Sequence, residues 1–212
     1  MTTSSQPDWE QFWRNTRAPL GSVWLGKILW WLFAVSGSRQ CLKVLKGAKK
    51  INSIIELGGG AGCLASLIAK GLGLGSEALT LIDNSPGAKR TWQEFSGFGK
   101  YILDDFLTHD FRGKKFDLVF SVGVVEHWAE EKERLKVIKR HAELSKEYVI
   151  IRVPRKGVAG KIFEIYGRMK NEGGFEKNYT SEELKKEISE AGLKALKVNE
   201  GLFSTAALAE PN

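Results

Sequence analysis

A run of glycines and two nearby carboxylates give this sequence its first chemical signal. Glu56-Leu57-Gly58-Gly59-Gly60-Ala61-Gly62 stands where an apolar run, Ser53 to Leu57, meets a stretch of helical spacing. Glycine lacks a Cβ, so such a run turns tightly and lets a ligand approach the backbone at a helix N-terminus. Asp83 follows a second apolar run, Leu79-Thr80-Leu81-Ile82, and lies 83 − 62 = 21 positions beyond the last of these glycines. A carboxylate at the end of a neighbouring strand can accept both hydrogen bonds of a ribose diol. Together the two signals describe a nucleotide-like ligand held between strand tips. Each has a plainer reading: a glycine turn without a ligand, and an aspartate that caps the helix after Ser85-Pro86.

Two further segments extend the pattern. Asp104-Asp105-Phe106 closes a third apolar run, offering a carboxylate to an adenine amino group and an aromatic ring beside the base. Phe116-Asp117-Leu118-Val119-Phe120-Ser121 then leads into Val124-Val125-Glu126-His127-Trp128. An imidazole titrates near neutrality, so His127 can accept a proton from a hydroxyl or amine, with Glu126 to orient it; shaping a pocket is the competing role for the pair. Gly60-Ala61-Gly62-Cys63-Leu64-Ala65 also satisfies the dinucleotide pattern of nicotinamide and flavin enzymes, and the residues alone leave that alternative open.

Positioning these groups requires strands that all end on one side. Short β-rich runs at Ser53–Leu57, Ala78–Ile82, Tyr101–Leu103, Phe116–Ser121 and Tyr148–Val153 alternate with helical stretches near Cys63–Gly71, Ala88–Glu94 and Glu130–Leu144. That alternation predicts a doubly wound α/β core with a parallel sheet. In the last of those helices Leu135 and Ile138 are expected to face the sheet, with Lys132, Lys136, Lys139 and Arg140 outward. Thr180 or Ser181 can cap a further helix that ends at Ala191-Gly192. Leu193–Val198 and Leu202–Leu208, separated by Asn199-Glu200-Gly201, then predict a hairpin that finishes the sheet with a reversed strand.

The first 50 residues differ from the rest. They carry eight Lys or Arg against two acids, Asp8 and Glu10, so +6 of the net +7 is local, and they hold Trp9, Trp13, Trp24, Trp30 and Trp31. Trp9, Phe12 and Trp13 recur at helical spacing, as do Trp24, Ile28, Trp31, Leu32 and Val35 beyond a break at Pro19 and Gly21. The expected organisation is an N-terminal helical arm over 1–50, placed as a lid, and one domain over 51–212. The apolar run from Ile28 to Val35 is too short for a bilayer span, which takes about 20 residues. A basic arm attracts nucleic acid, an anionic membrane surface or an anionic small molecule, and charge alone does not choose. The segment from Arg152 to Phe175, rich in cations and glycine, could bind an anionic acceptor or be an ordinary solvated loop.

At 42% hydrophobic and 27% charged, a chain of 212 residues has the composition of a folded globular protein, not of a disordered or collagen-like one. Cys41 and Cys63 cannot build a disulfide framework, and with His109, His127 and His141 they show no zinc-ligand spacing, so no metal is expected. The opening MTTSSQPDWEQFW lacks a secretory pattern, and the expected setting is cytoplasmic.

The ordered strand-end motifs resemble those of the class I, Rossmann-like S-adenosylmethionine-dependent methyltransferases, and the Glu126-His127 pair resembles their small-molecule (type 11/12-like) branch. The resemblance spans about residues 51 to 200. It implies that Glu56, Gly58, Gly60 and Gly62 hold the methionine end of the cofactor and that Asp83 holds the ribose. Asp105 would meet the adenine amino group with Phe106 beside the ring, and the Ser121 backbone would border the methionine moiety. It also implies a mostly parallel seven-stranded sheet with a final antiparallel strand, which agrees with the hairpin read from the tail. Asp104 stands where that family often has glycine, and matching to the family favours Asp105 over Asp104 at the base. Nothing like an Asn-Pro-Pro-Tyr signature follows Ser121, which disfavours methylation of a base amino group. The acceptor implied first is a small molecule, then a protein side chain, then RNA. A nicotinamide oxidoreductase and a non-catalytic methyltransferase-like partner subunit are the alternatives.

Overall fold

The computed structural model describes residue 10 and residues 24–157 and 176–212, except for the side chains of 24–32. Asp8–Asp110 forms one compact unit and Phe111–Asn212 belongs to a second.

In the first unit a helix α1, Trp24–Val44, precedes strand β1, Ile54–Leu57, and helix α2, Cys63–Gly71. Strand β2, Leu79–Asp83, helix α3, Pro86–Phe95, and strand β3, Lys100–Leu103, follow. Every residue of β1 is buried, as a parallel strand covered on both faces requires. β1 pairs in parallel with β2 and β2 with β3, in a register that sets Leu57 beside Ile82 and Asp83 beside Leu103. The chain therefore leaves each strand on the same side, and the tips stay adjacent.

α1 is one continuous helix where the expected apolar face ended near Val35. Ala34, Ser38, Cys41 and Val44 are buried at helical spacing, while Arg39 and Lys43 are exposed. It lies close against α2: a Cβ added to Gly71 would stand 2.5 Å from Leu42 Cδ1. Of the helix expected around Trp9 and Trp13, only Glu10 lies among the described residues, and it is helical.

The second unit holds strand β4, Phe116–Val122, helix α4, Glu131–Leu144, and strand β5, Ser145–Pro154. It ends with helix α5, Ser181–Glu190, and strands β6, Leu193–Glu200, and β7, Ser204–Pro211. β4 pairs in parallel with β5, whereas β7 is antiparallel to both β5 and β6. The seven strands follow the order β3-β2-β1-β4-β5-β7-β6. This is the doubly wound, mostly parallel sheet with a reversed last strand. The hairpin turn falls later than expected, because Asn199 and Glu200 still pair with Ala206 and Thr205 and the reversal is made by Gly201–Phe203.

Thr180 caps α5 in a reciprocal arrangement: its hydroxyl accepts from the Glu183 N–H while Glu183 accepts from the Thr180 N–H. The inward stripe of α4 is Arg134, Val137, Ile138, His141 and Leu144, with Leu135 only half-buried, a shift from the expected Leu135 and Ile138. A buried arginine is tolerated there because α5 supplies its partner. Arg134 Nη2 lies 2.9 Å from Glu187 Oε1, and Nη1 donates to the Trp128 and Ala129 carbonyls. Glu187 also accepts from Tyr179 Oη at 2.8 Å and Lys177 Nζ at 2.7 Å.

Candidate cofactor site

The glycine loop is the structural centre of the first unit. Gly58, Gly60 and Gly62 all take left-handed backbone angles, with φ of 68°, 49° and 67°. A side chain at Gly62 would also have no room, since its Cβ would fall 2.7 Å from Leu81 Cδ2 and 2.8 Å from Trp92 Cδ1. The loop hangs from β2: the N–H groups of Gly58 and Gly59 both donate to the Ile82 carbonyl, at 2.9 and 3.1 Å. It ends at α2, whose N-cap Gly62 has no side chain to satisfy the first-turn N–H groups, so that helix end can receive an anion.

Asp83 is knitted into the same loop. Its Oδ2 accepts from the Gly60 N–H at 3.0 Å, and its Oδ1 accepts from the Ser85 N–H at 2.9 Å. The plainer reading of Asp83 as the cap of α3 does not hold, because Ser85 Oγ does that, accepting from the Ala88 N–H at 3.2 Å. Burial raises the Asp83 pKa above the ordinary carboxylate value, against the opposing pull of the two N–H donors. Glu56, buried on β1 opposite Leu81, is pushed further up, first by burial and then by the Asp83 charge. The two acids cannot easily ionise together, so the site favours a ligand that brings positive charge.

Tyr101 and Glu10 also belong to this site, and the sequence singles out neither. Tyr101 Oη donates to the Gly60 carbonyl at 3.2 Å, and its ring lies 5.0 Å from that of Trp92. Glu10 Oε2 accepts from Ser85 Oγ and from the Gly87 N–H, both at 2.8 Å, and Oε1 pairs with Arg90 at 3.0 Å. A protein carboxylate thus fills the N-terminus of α3 and neutralises the nearest cation, where a dinucleotide 2′-phosphate would want an arginine. Sequence spacing offers no signal for either contact, since each joins residues far apart along the chain.

At the tip of β3 the Asp104 N–H donates to the Asp83 carbonyl at 3.1 Å, which sets the Asp104-Asp105 turn beside Asp83. Asp105 is half-buried; Phe106 is buried at 8% exposure, so its ring belongs largely to the interior.

Ser121, Glu126 and His127 lie in the second unit. Ser121 is buried near the end of β4 opposite Ile151. Glu126 and His127 sit in the 3-10 turn Val125–His127 that follows, and the Glu126 carbonyl accepts from the Lys177 N–H at 2.9 Å. Glu126 is buried, and that burial pushes its pKa up to about 8; the Glu176 charge adds to the rise while Arg152 opposes it. Burial thus favours the protonated acid, and its buried Oε2 meets no hydrogen-bond partner among the described residues. In the cationic segment that follows β5, Arg155 pairs with Glu200 and Lys156 with Glu183, which leaves less charge for an anionic acceptor than the sequence suggested; 158–175 lie outside the described residues. Among the described residues no group of three His, Cys, Asp or Glu could hold a metal, and no helix is long and apolar enough to cross a membrane.

The strand order departs from the 3-2-1-4-5-6 of the dinucleotide-binding fold by the reversed β7 inserted between β5 and β6. It is the class I methyltransferase fold. Residues 55–145 match the family model described as a methyltransferase domain. No curated protein sequence matches the chain. Among solved structures it is similar to magnesium protoporphyrin IX methyltransferase of Synechocystis PCC 6803 with bound S-adenosylhomocysteine. That match has 17% identity and a TM-score of 0.66 and covers 95% of this chain and 94% of that one. Human N-acetylserotonin methyltransferase in complex with S-adenosylmethionine matches at 19% identity and TM-score 0.66, over 83% of this chain and 52% of that one. The N-methyltransferase NodS of Bradyrhizobium japonicum, in complex with S-adenosylhomocysteine, matches at 14% identity and TM-score 0.61, over 82% and 85%. At these identities the likeness is one of fold.

Proposed function

We infer that the protein is an S-adenosylmethionine-dependent methyltransferase whose acceptor is a small molecule. The observation that carries this reading is the hydrogen bond from the Gly60 N–H to the Asp83 carboxylate, which joins the glycine loop to the ribose-type acid inside a methyltransferase domain. Both Asp83 oxygens keep a lone pair for a ribose diol. Glu56, Gly58, Gly60 and Gly62 serve the methionine end. Its carboxylate suits the uncapped α2 N-terminus, and its ammonium and sulfonium relieve the crowding of Glu56 and Asp83. Asp105 would receive the adenine amino group, Phe106 would serve the base, and the Ser121 backbone would serve the methionine moiety. The similar structures with bound S-adenosylmethionine or S-adenosylhomocysteine support this cofactor, and the acceptors named for two of them, magnesium protoporphyrin IX and N-acetylserotonin, support a small molecule over protein or RNA.

Bound, the cofactor supplies an electrophilic methyl carbon on a sulfonium. The chain's own task is to align an acceptor lone pair with that carbon and to exclude water. His127 takes the acceptor's proton where the acceptor is a hydroxyl or a protonated amine. Glu126, next to it in the same turn, shapes the pocket and does not orient the imidazole, because its buried Oε2 has no hydrogen-bond partner among the described residues. The arm over 1–50 forms the lid of a domain over 51–212, and the protein works in the cytoplasm. The test is incubation of the protein with methyl-labelled S-adenosylmethionine and a metabolite extract. A small-molecule product gaining one methyl mass is expected; label appearing only in protein or RNA would overturn the acceptor class.

The nicotinamide reading is disfavoured by the reversed β7 and by Glu10 at the α3 N-terminus. A non-catalytic partner subunit would have no need of the intact Gly60–Asp83 junction.

A further inference from the structure

We propose that His109 is a positioning residue for the adenine end of the cofactor site, acting through Asp104 to set the carboxylate of Asp105. The proposal rests on the reading of Asp105 as the partner of the adenine amino group.

At the end of β3, Leu103 is in register with Asp83 and the Asp104 N–H is bonded to the Asp83 carbonyl, so the chain leaves the sheet beside the ribose-type acid. From there residues 104–109 close on themselves. Asp104 Oδ1 accepts from the Asp105 N–H at 2.8 Å, and Asp104 Oδ2 accepts from His109 Nδ1 at 2.6 Å. The Asp105 carbonyl accepts from the N–H groups of Thr108, at 3.2 Å, and His109, at 2.8 Å. Asp105 Oδ1 accepts from the Leu107 N–H at 2.9 Å.

The carboxylate oxygens assign the roles. Both oxygens of Asp104 are engaged inside the turn, so Asp104 is the brace. Asp105 commits one oxygen to the turn, and Oδ2 is the one the turn does not use. A carboxylate oxygen fixed in direction by its partner's bond is what recognition of an amino group needs. His109 holds the brace from the far side. Its bond keeps Asp104 ionised, below its ordinary carboxylate range, with the backbone bond to Asp105 adding to that effect. Without the imidazole, Asp104 Oδ2 turns to water and the Asp105 N–H loses a fixed acceptor. The Asp104 side chain is 49% exposed and that of His109 25%, so the pair is an exposed one. The effect on binding is correspondingly modest, about three- to fivefold.

Calorimetry with two probes separates positioning from general damage: S-adenosylhomocysteine, and S-inosylhomocysteine, in which the adenine amino group is replaced by an oxo group. His109→Ala should weaken S-adenosylhomocysteine about three- to fivefold and leave S-inosylhomocysteine unchanged. His109→Asn, whose amide can still donate to Asp104, should restore the first value. Asp104→Ala should reproduce His109→Ala, and the two changes together should cost no more than either alone. Equal weakening of both ligands, or no weakening of either, overturns the proposal. Asp105→Ala tells which level has failed. If it binds S-adenosylhomocysteine as tightly as the wild type, the base reading is wrong and the proposal falls with it. If it loses affinity while His109→Ala does not, the positioning role alone falls.

Discussion

Replacing Gly62 by alanine probes the cofactor cradle through two separate costs. The first is conformational: at φ 67° an L residue is strained, which costs about 1 kcal/mol. The second is steric: the new Cβ would meet Leu81 Cδ2 at 2.7 Å and Trp92 Cδ1 at 2.8 Å. Trp92 cannot swing aside freely, because its Nε1 donates to the Phe98 carbonyl at 3.1 Å and its ring packs on Tyr101. Overpacking of this kind costs about 1–3 kcal/mol, giving a sum of roughly 2–4 kcal/mol. Gly113 supplies the internal control: its φ is 74°, but a Cβ there would meet nothing within 4 Å, so Gly113→Ala should carry only the conformational cost. Urea unfolding at pH 7 should therefore place Gly62→Ala about 1–3 kcal/mol below Gly113→Ala, which for a chain of this size is a difference of about 2–12 °C in Tm. Affinity for S-adenosylhomocysteine should fall with Gly62→Ala and stay at the wild-type value with Gly113→Ala. Equal destabilisation by the two substitutions would refute the argument that Leu81 and Trp92 close the cradle.

In the second unit, Glu187→Ala would strand Arg134 as a buried cation, and the expected loss is about 3–5 kcal/mol in urea unfolding at pH 7. Burial acts most strongly on Glu187 and raises its pKa, but the bonds from Arg134, Lys177 and Tyr179 together outweigh it and hold the carboxylate below its ordinary value. Its contribution to stability is therefore present above the unfolded value of about 4.5 and lost as pH falls through the lowered folded value, a dependence the variant should lack. Glu126 has the opposite sign: with a folded pKa of about 8 it holds its proton longer than the unfolded chain does, so stability falls as pH rises from about 4.5 to 8. Glu126→Gln should remove that decline, worth at most about 5 kcal/mol, and Tm profiles that stay parallel for variant and wild type across this range would contradict it. His127→Ala should lower the turnover rate of methyl transfer about 100-fold or more while leaving S-adenosylhomocysteine affinity unchanged, and an intact rate would remove the base.

Much of this was legible because the signals are local. The strand ends and the helix Cys63–Gly71 follow from short apolar runs broken by glycine, and the Asp83 position follows from its place at the end of one of them. What the sequence could not show were contacts that depend on register and tertiary packing. Parallel pairing of Tyr101 with Leu81 brings the phenol into reach of the Gly60 carbonyl. Arg134 reads as one more cation of a surface helix until Glu187, 53 positions on, is set against it. The shift of the final turn from Asn199-Glu200-Gly201 to Gly201–Phe203 has a similar origin, since pairing with β7 holds Asn199 and Glu200 in the ladder against their turn preference. Glu10, whose carboxylate meets an α3 terminus 77 positions away, left no trace in spacing at all.

On this account the glycine loop and Asp83 form one cradle for S-adenosylmethionine. Titration of S-adenosylhomocysteine into the wild type and into Asp83→Ala by calorimetry, with NAD and NADP as controls, tests it most directly. Saturable binding to the wild type, at least tenfold weaker in Asp83→Ala and absent for both dinucleotides, is the predicted result. Binding of a dinucleotide by a protein that ignores S-adenosylhomocysteine would contradict it.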